Sequence, residues 1–235
     1  LFIDLRHLRK LVIAHDKVLF QGHAVAAVAA TTPEVAEEAA RLVDVDYELL
    51  NPVTDAVSAM DEGTSLLHDD LITQTIGDES KSPSNIASIV ETGYGDVEDG
   101  LKKSDHVLET TYQTQMVHQG YLEPTACTAH AEHNGAVTVW TSTQGTFHAQ
   151  KQLSAILKIP MRKLNVVPME VGGAFGGKIY ALLEPLAIML SQKSGRPVRI
   201  VMSREEVLKA TGPSSPSYIT IKTGVTEDGH LRACY

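Results

Sequence analysis

The chain has 235 residues, 43% of them hydrophobic, enough for one large domain or two smaller ones around a sizeable core. Its formal net charge of −9 argues against a general nucleic-acid or anionic-membrane surface. Two widely separated cysteines, Cys127 and Cys234, offer no disulfide framework, iron–sulfur ligand set or structural zinc site, and suit a reducing, cytoplasmic compartment.

No apolar run approaches the roughly 18 residues of a membrane span; the densest, 181–190, is interrupted by Glu184-Pro185. Residues 17–30 predict two extended pieces around Gly22, an apolar one at 18–20 and a small-residue one at 25–30. Thr32 then caps a helix whose first residue, Pro33, has no N–H to leave unpaired. Val35, Ala39, Leu42 and Val43 follow at helical spacing, with Glu34, Glu37 and Glu38 towards the positive end. Residues 43–48 alternate as a strand, so 1–57 reads as a compact α/β module. Residues 58–92, rich in Asp, Ser and Gly and including Lys81-Ser82-Pro83-Ser84-Asn85, read as a connecting segment.

A second unit runs from 93 to 235. Residues 93–100 give a turn and a helix start, and 105–115 alternate as a strand. Residues 121–133 and 136–142 form a hairpin around Asn134-Gly135. Phe147, Lys151, Ser154 and Leu157 share a helical row that Leu153 and Ile156 widen. A short strand at 164–167 precedes Gly172-Gly173-Ala174-Phe175-Gly176-Gly177-Lys178. Residues 179–193, apolar nearly all round, predict a buried helix stopped by Gly195 and Pro197. A strand at 198–202, a capping box at Ser203-Arg204-Glu205-Glu206 and a hairpin around Asp228-Gly229 complete the chain. The fold class is α+β, that is, mixed α/β.

The glycine loop is the most informative segment. Glycines let the main chain approach a ligand closely, and several N–H groups can then converge on one anionic or oxo group. Gly172, four residues, then Gly177-Lys178 has the spacing of a nucleoside-triphosphate loop. The next residue should carry a hydroxyl for magnesium, and Ile179 cannot coordinate a hard cation. Among other candidates, His130 and His133 flank a hairpin on opposite faces and are expected to be solvated. Cys127 reads as a small core residue, and Lys178 as a lysine facing solvent. Glu123, if buried, needs a partner and reads as structural.

Several segments together resemble the molybdopterin-binding large subunit of the xanthine dehydrogenase and aldehyde oxidase family of molybdenum hydroxylases. Lys17-Val18-Leu19-Phe20-Gln21-Gly22-His23-Ala24-Val25-Ala26-Ala27-Val28, followed by Ala36-Glu37-Glu38-Ala39-Ala40, is similar to that family's hammerhead domain. Gln119-Gly120-Tyr121-Leu122-Glu123-Pro124 resembles its Leu-Glu-Pro segment. Trp140-Thr141-Ser142-Thr143-Gln144 and the glycine loop resemble its two cofactor-contacting segments.

The resemblance implies hydroxylation of an aldehyde or aromatic heterocycle with molybdopterin, the cytosine dinucleotide form being open. It implies FAD and [2Fe-2S] centres on partner subunits or domains, with assembly into an oligomer. Gln144 matches the position that hydrogen-bonds an oxo group, and Gly173, Phe175, Gly176 and Gly177 match cofactor-contacting positions. Phe175 and Ile179 would line the substrate pocket, and no protein atom would ligate the metal. Ile179 stands where xanthine-oxidising members carry a purine-binding glutamate, so oxidation of xanthine itself is not expected.

The general-base glutamate is expected beyond Tyr235, since nothing after Gly177 supplies it. Both ends read as cut, and the chain is expected to be an inactive N-terminal part of a longer subunit. Two alternatives stay open: a non-catalytic cofactor-docking or assembly module, and a nucleotide-binding protein.

Overall fold

The computed structural model describes residues 5–75 and 82–235, the side chains of Leu5 and Arg6 excepted. The parts of the expected module at 1–4 and of the connecting segment at 76–81, Lys81 included, lie outside the described residues.

A four-stranded sheet carries the core. β4 (Ala126–Ala131) pairs antiparallel with β5 (Val137–Thr141) across the Asn134-Gly135 turn, and on its other edge with β7 (Val198–Val201). β5 runs parallel to β6 (Leu164–Pro168), and the crossover between them is α4 (Thr146–Leu157). Alternation decides the inner face: Cys127 and Ala129, Val137, Val139 and Thr141, then Leu164 and Val166 all point inward. They meet Ala149 and Leu153 of α4, and Ala187 and Ile188 of α5 (Glu184–Ser194). α6 (Arg204–Ala210) follows β7 behind a complete capping box, Ser203 with Glu206.

A second, antiparallel sheet has the order β3 (His106–Gln113), β8 (Tyr218–Val225), β9 (Leu231–Cys234), next to α3 (Val97–Lys102), which Asp96 caps. β1 (Gln74–Thr75) and β2 (Ser88–Ile89) form a two-residue parallel pair within the connecting segment. Among the described residues, no helix is long and apolar enough to cross a membrane.

Several expectations need correction. Among the described residues, 18–20, 25–30 and 43–48 join no strand ladder. An alternating pattern suits an extended segment, but without a partner strand it makes no sheet. α2 (Pro33–Arg41) forms with its Thr32 cap, yet buries no residue, and a hollow of about 400 Å³ lies between Ala40 and Val25, Val28, Val45 and Tyr47. α1 (Leu5–Val12), which the sequence patterning does not predict, buries Leu8 and Val12 against Ile156 and Leu186.

The helix expected at 179–193 starts only at Glu184. The Ala181 N–H is spent on Gln152 Oε1 at 2.8 Å, and Pro185 fits the first turn, where its missing N–H costs nothing. Phe147 is 83% exposed, because the buried face of α4 is Ala149, Gln152, Leu153 and Ile156.

Candidate functional site

The parallel pair β5 and β6 places the segments that follow both strands at the same edge of the sheet. In α/β architectures that carboxyl edge is where ligands bind. Residues 142–145 lead from β5 into α4, and residues 169–178 lead from β6 into the glycine loop. The Met169 N–H donates to Thr141 O at 3.0 Å, so the two segments leave the sheet in register.

They meet again at Lys178. The Gln144 N–H donates to Lys178 O at 3.0 Å, and the Lys178 N–H donates to Gln144 Oε1 at 3.1 Å. An N–H can only donate, so this second bond fixes which end of the carboxamide faces the loop. The oxygen is used, and Nε2 has no protein partner among the described residues. Gln144 is exposed, so that donor is available to a ligand.

Within the loop, the Gly177 N–H donates to Ala174 O at 2.8 Å and closes a tight turn over Phe175 and Gly176. Both central residues have positive φ, 52° and 91°. That is ordinary for Gly176 and strained for an aromatic residue, and it holds the Phe175 ring 75% exposed.

The glycines do different jobs. A β-carbon on Gly172 would lie 2.6 Å from Glu123 Cβ, and one on Gly173 would lie 3.2 Å from Tyr121 Cβ. Both are glycine because the 121–123 segment packs against them. A β-carbon on Gly176 would meet nothing within 4 Å, so here the missing side chain leaves an open face.

Lys178 corrects another expectation. Its side chain is 1% exposed rather than facing solvent, with Nζ 2.6 Å from Glu123 Oε2 and 4.8 Å from the centroid of the Tyr121 ring. The same Oε2 accepts from the Gly172 N–H at 2.8 Å. Burial works against ionisation of Glu123, but the Lys178 hydrogen bond, the Gly172 N–H and the lysine's charge outweigh it and hold its carboxyl below the usual range. A phosphate-loop lysine must reach its ligand, and this one is committed elsewhere, which counts against the nucleotide reading.

The 118–125 segment is anchored from α6. Arg204 donates to Tyr121 O at 2.8 Å and to Leu122 O. His118 accepts the Gly120 N–H on Nδ1, so Nε2 carries the proton towards Val207 O and Thr211 Oγ1. His118 is thereby structural. His130 sits in β4 opposite Thr138, whereas His133 lies at the hairpin end.

Comparison with known proteins gives the family of the chain. Residues 78–235 match the model of the molybdopterin cofactor-binding domain, and residues 4–51 that of the aldehyde oxidase and xanthine dehydrogenase a/b hammerhead domain. The chain belongs to the xanthine dehydrogenase and aldehyde oxidase family.

It is 36% identical over 222 residues to a probable xanthine dehydrogenase subunit of Bacillus subtilis, covering 94% of this chain and 28% of that protein. It is 31% identical to the nicotinate dehydrogenase large molybdopterin subunit of Eubacterium barkeri, covering 94% of this chain and 49% of that one. The structure superposes on a Cu,Mo-CO dehydrogenase with a TM-score of 0.76 and 28% identity, covering 98% of this chain and 31% of the other. The chain therefore spans between about a quarter and a half of the length of these relatives.

For a member of this family, the residues present fit a molybdopterin group. Gln144 offers a free amide donor, Gly176 an open main-chain face, and Phe175 an exposed ring. Among the described residues, Gln119 Oε1 and Ser142 Oγ are buried without a partner, and the Gln119 side chain lies against Gly177. Sequence reasoning gives Tyr121, Glu123 and Arg204 no role at the loop. The signal for them is the Leu-Glu-Pro segment itself, which has no periodicity to betray a contact 50 or so residues away.

Proposed function

We propose that the chain is the cofactor-contacting part of a molybdenum-dependent hydroxylase acting on an aldehyde or aromatic heterocycle. The observation that carries this reading is the Lys178 N–H to Gln144 Oε1 bond, which commits the amide's oxygen to the loop and leaves its donor end to a ligand. A neutral amide can stabilise an oxo group without adding charge, and a donor fixed in advance needs no reorganisation. The cofactor, when bound, supplies the redox chemistry. Phe175 and Ile179 form an apolar wall at the same edge, while Gly173 and Gly177 hold the loop's shape.

Glu123 and Glu184, the carboxylates bonded to the glycine loop and to β5, leave the role of general base open. Glu123 is tied to Lys178, and Glu184 is buried beneath the sheet edge. The base is proposed to lie outside these 235 residues, as are the FAD and [2Fe-2S] centres on partner subunits or domains. The cytosine dinucleotide form of the cofactor, a cytoplasmic location and the division into 1–57, 58–92 and 93–235 belong to the same proposal.

Gln144→Glu in the complete, cofactor-loaded enzyme of which this chain is a part tests it. The variant keeps an acceptor for the Lys178 N–H and replaces the donor with an oxygen. Loss of one fixed donor should lower kcat by about 10²-fold with cofactor content maintained. Parental kcat would overturn the assignment.

A further inference from the structure

Glu123 stands in an unusual place: one carboxylate oxygen closes the glycine loop at both ends. Oε2 accepts the Gly172 N–H at 2.8 Å and the Lys178 ammonium at 2.6 Å, although these residues lie six apart. Around this point the Glu123 N–H donates to Gly172 O at 3.0 Å, and Lys178 Nζ donates to Glu123 O at 3.1 Å. The turn carrying Phe175 and Gly176 is the middle of the closed span. Lys178 then passes its position on through its own N–H, which holds the Gln144 amide.

We propose that Glu123 is the positioning residue of the site: through Gly172 and Lys178 it sets the geometry of the Phe175–Gly176 turn and the direction of the Gln144 donor. This rests on the function proposed above. Glu123 touches no reacting group in this scheme. It acts through the loop, and it is itself held by the Arg204 bonds to Tyr121 O and Leu122 O.

A purely stabilising ion pair and a positioning one differ in what an apolar replacement restores. Lys178 is buried and Glu123 about a third exposed, so removing Glu123 alone leaves an unpaired buried ammonium, whereas replacing both partners with apolar residues removes that penalty. The test is therefore the double variant Glu123→Met with Lys178→Met, beside Glu123→Gln alone. Hydrogen exchange of the chain is read at the Gly172 and Lys178 amides, and the electron paramagnetic resonance signal of the metal is read in cofactor-loaded protein.

The double variant should recover thermal stability relative to Glu123→Met alone, while the Gly172 amide exchanges about tenfold faster and the metal signal shifts. Glu123→Gln, which keeps an acceptor oxygen but not the charge, should still speed exchange at Lys178 and shift the signal. Parental exchange and a parental signal in both variants would overturn the proposal. If Gln144→Glu shifts the metal signal and the Glu123 variants do not, this inference alone fails. If Gln144→Glu also leaves the signal parental, the function proposed above fails, and exchange at Gly172 still decides whether Glu123 closes the loop.

Discussion

Gly177 and Tyr121 are in contact through a ring edge that leaves no room for a methyl group. A β-carbon on Gly177 would lie 2.9 Å from Tyr121 Cε1 and 3.1 Å from Ala174 O. The ring cannot retreat easily, because its hydroxyl is bonded to Thr125 Oγ1 at 3.0 Å and to Thr211 Oγ1 at 3.2 Å. Gly177→Ala should therefore destabilise the protein by about 2 kcal/mol through overpacking. Gly176→Ala meets no atom and should lose only about 1 kcal/mol, for its positive φ. Urea unfolding of the two variants separates them, and equal losses would contradict the packing account.

Arg204 carries the next expectation. Its guanidinium holds the Tyr121 and Leu122 carbonyls from the first turn of α6, so Arg204→Ala leaves both to solvent or unpaired. The loss should be about 2 kcal/mol, as for bonds from a charged donor. Arg204→Lys, with one compact donor head in place of a fork, should recover part of it. Thermal unfolding that ranks lysine no better than alanine would refute the two-carbonyl role.

The two thiols should behave oppositely. Burial, and next the neighbouring Glu184 carboxyl, push the Cys127 thiol well above its ordinary range, while Cys234 is exposed at the end of β9. A disulfide reagent at mild alkaline pH should modify Cys234 alone in the native chain and both thiols in denaturant. Rapid native modification of Cys127 would show that the sheet opens at β4.

Local signals explain what the sequence makes legible. Asn134-Gly135, the Ser203 to Glu206 box, and Thr32 before Pro33 each act within a few residues, and each appears in the fold where the sequence places it. The start of α5 is hidden because composition cannot show that the Ala181 N–H belongs to Gln152. The segments at 18–20, 25–30 and 43–48 mislead for a related reason: alternation specifies an extended chain but not its partner. At the site, Gln144 and the glycine loop are legible as motifs. The clamp is not, because Glu123 and Lys178 meet across 55 residues and nothing in either neighbourhood announces the other.

Glu184 yields the sharpest dependence on pH. Burial, opposed by the Thr141 hydroxyl at 2.6 Å and by main-chain N–H groups of 182–184, raises its carboxyl above the ordinary range. In the fold it keeps a proton that the unfolded chain releases. Between the ordinary carboxylate pKa and the raised one, the native state therefore binds more protons, and stability falls as pH rises through that window. Glu123 is shifted the opposite way, so its contribution is present at neutral pH and fades as pH drops below the carboxylate range. Glu184→Gln removes only the first effect and keeps an acceptor for Thr141. Its stability relative to the parent should grow from acidic to neutral pH, with Glu123 cancelling in the difference. Unfolding curves that stay parallel across that range would mean that Glu184 titrates alike in both states.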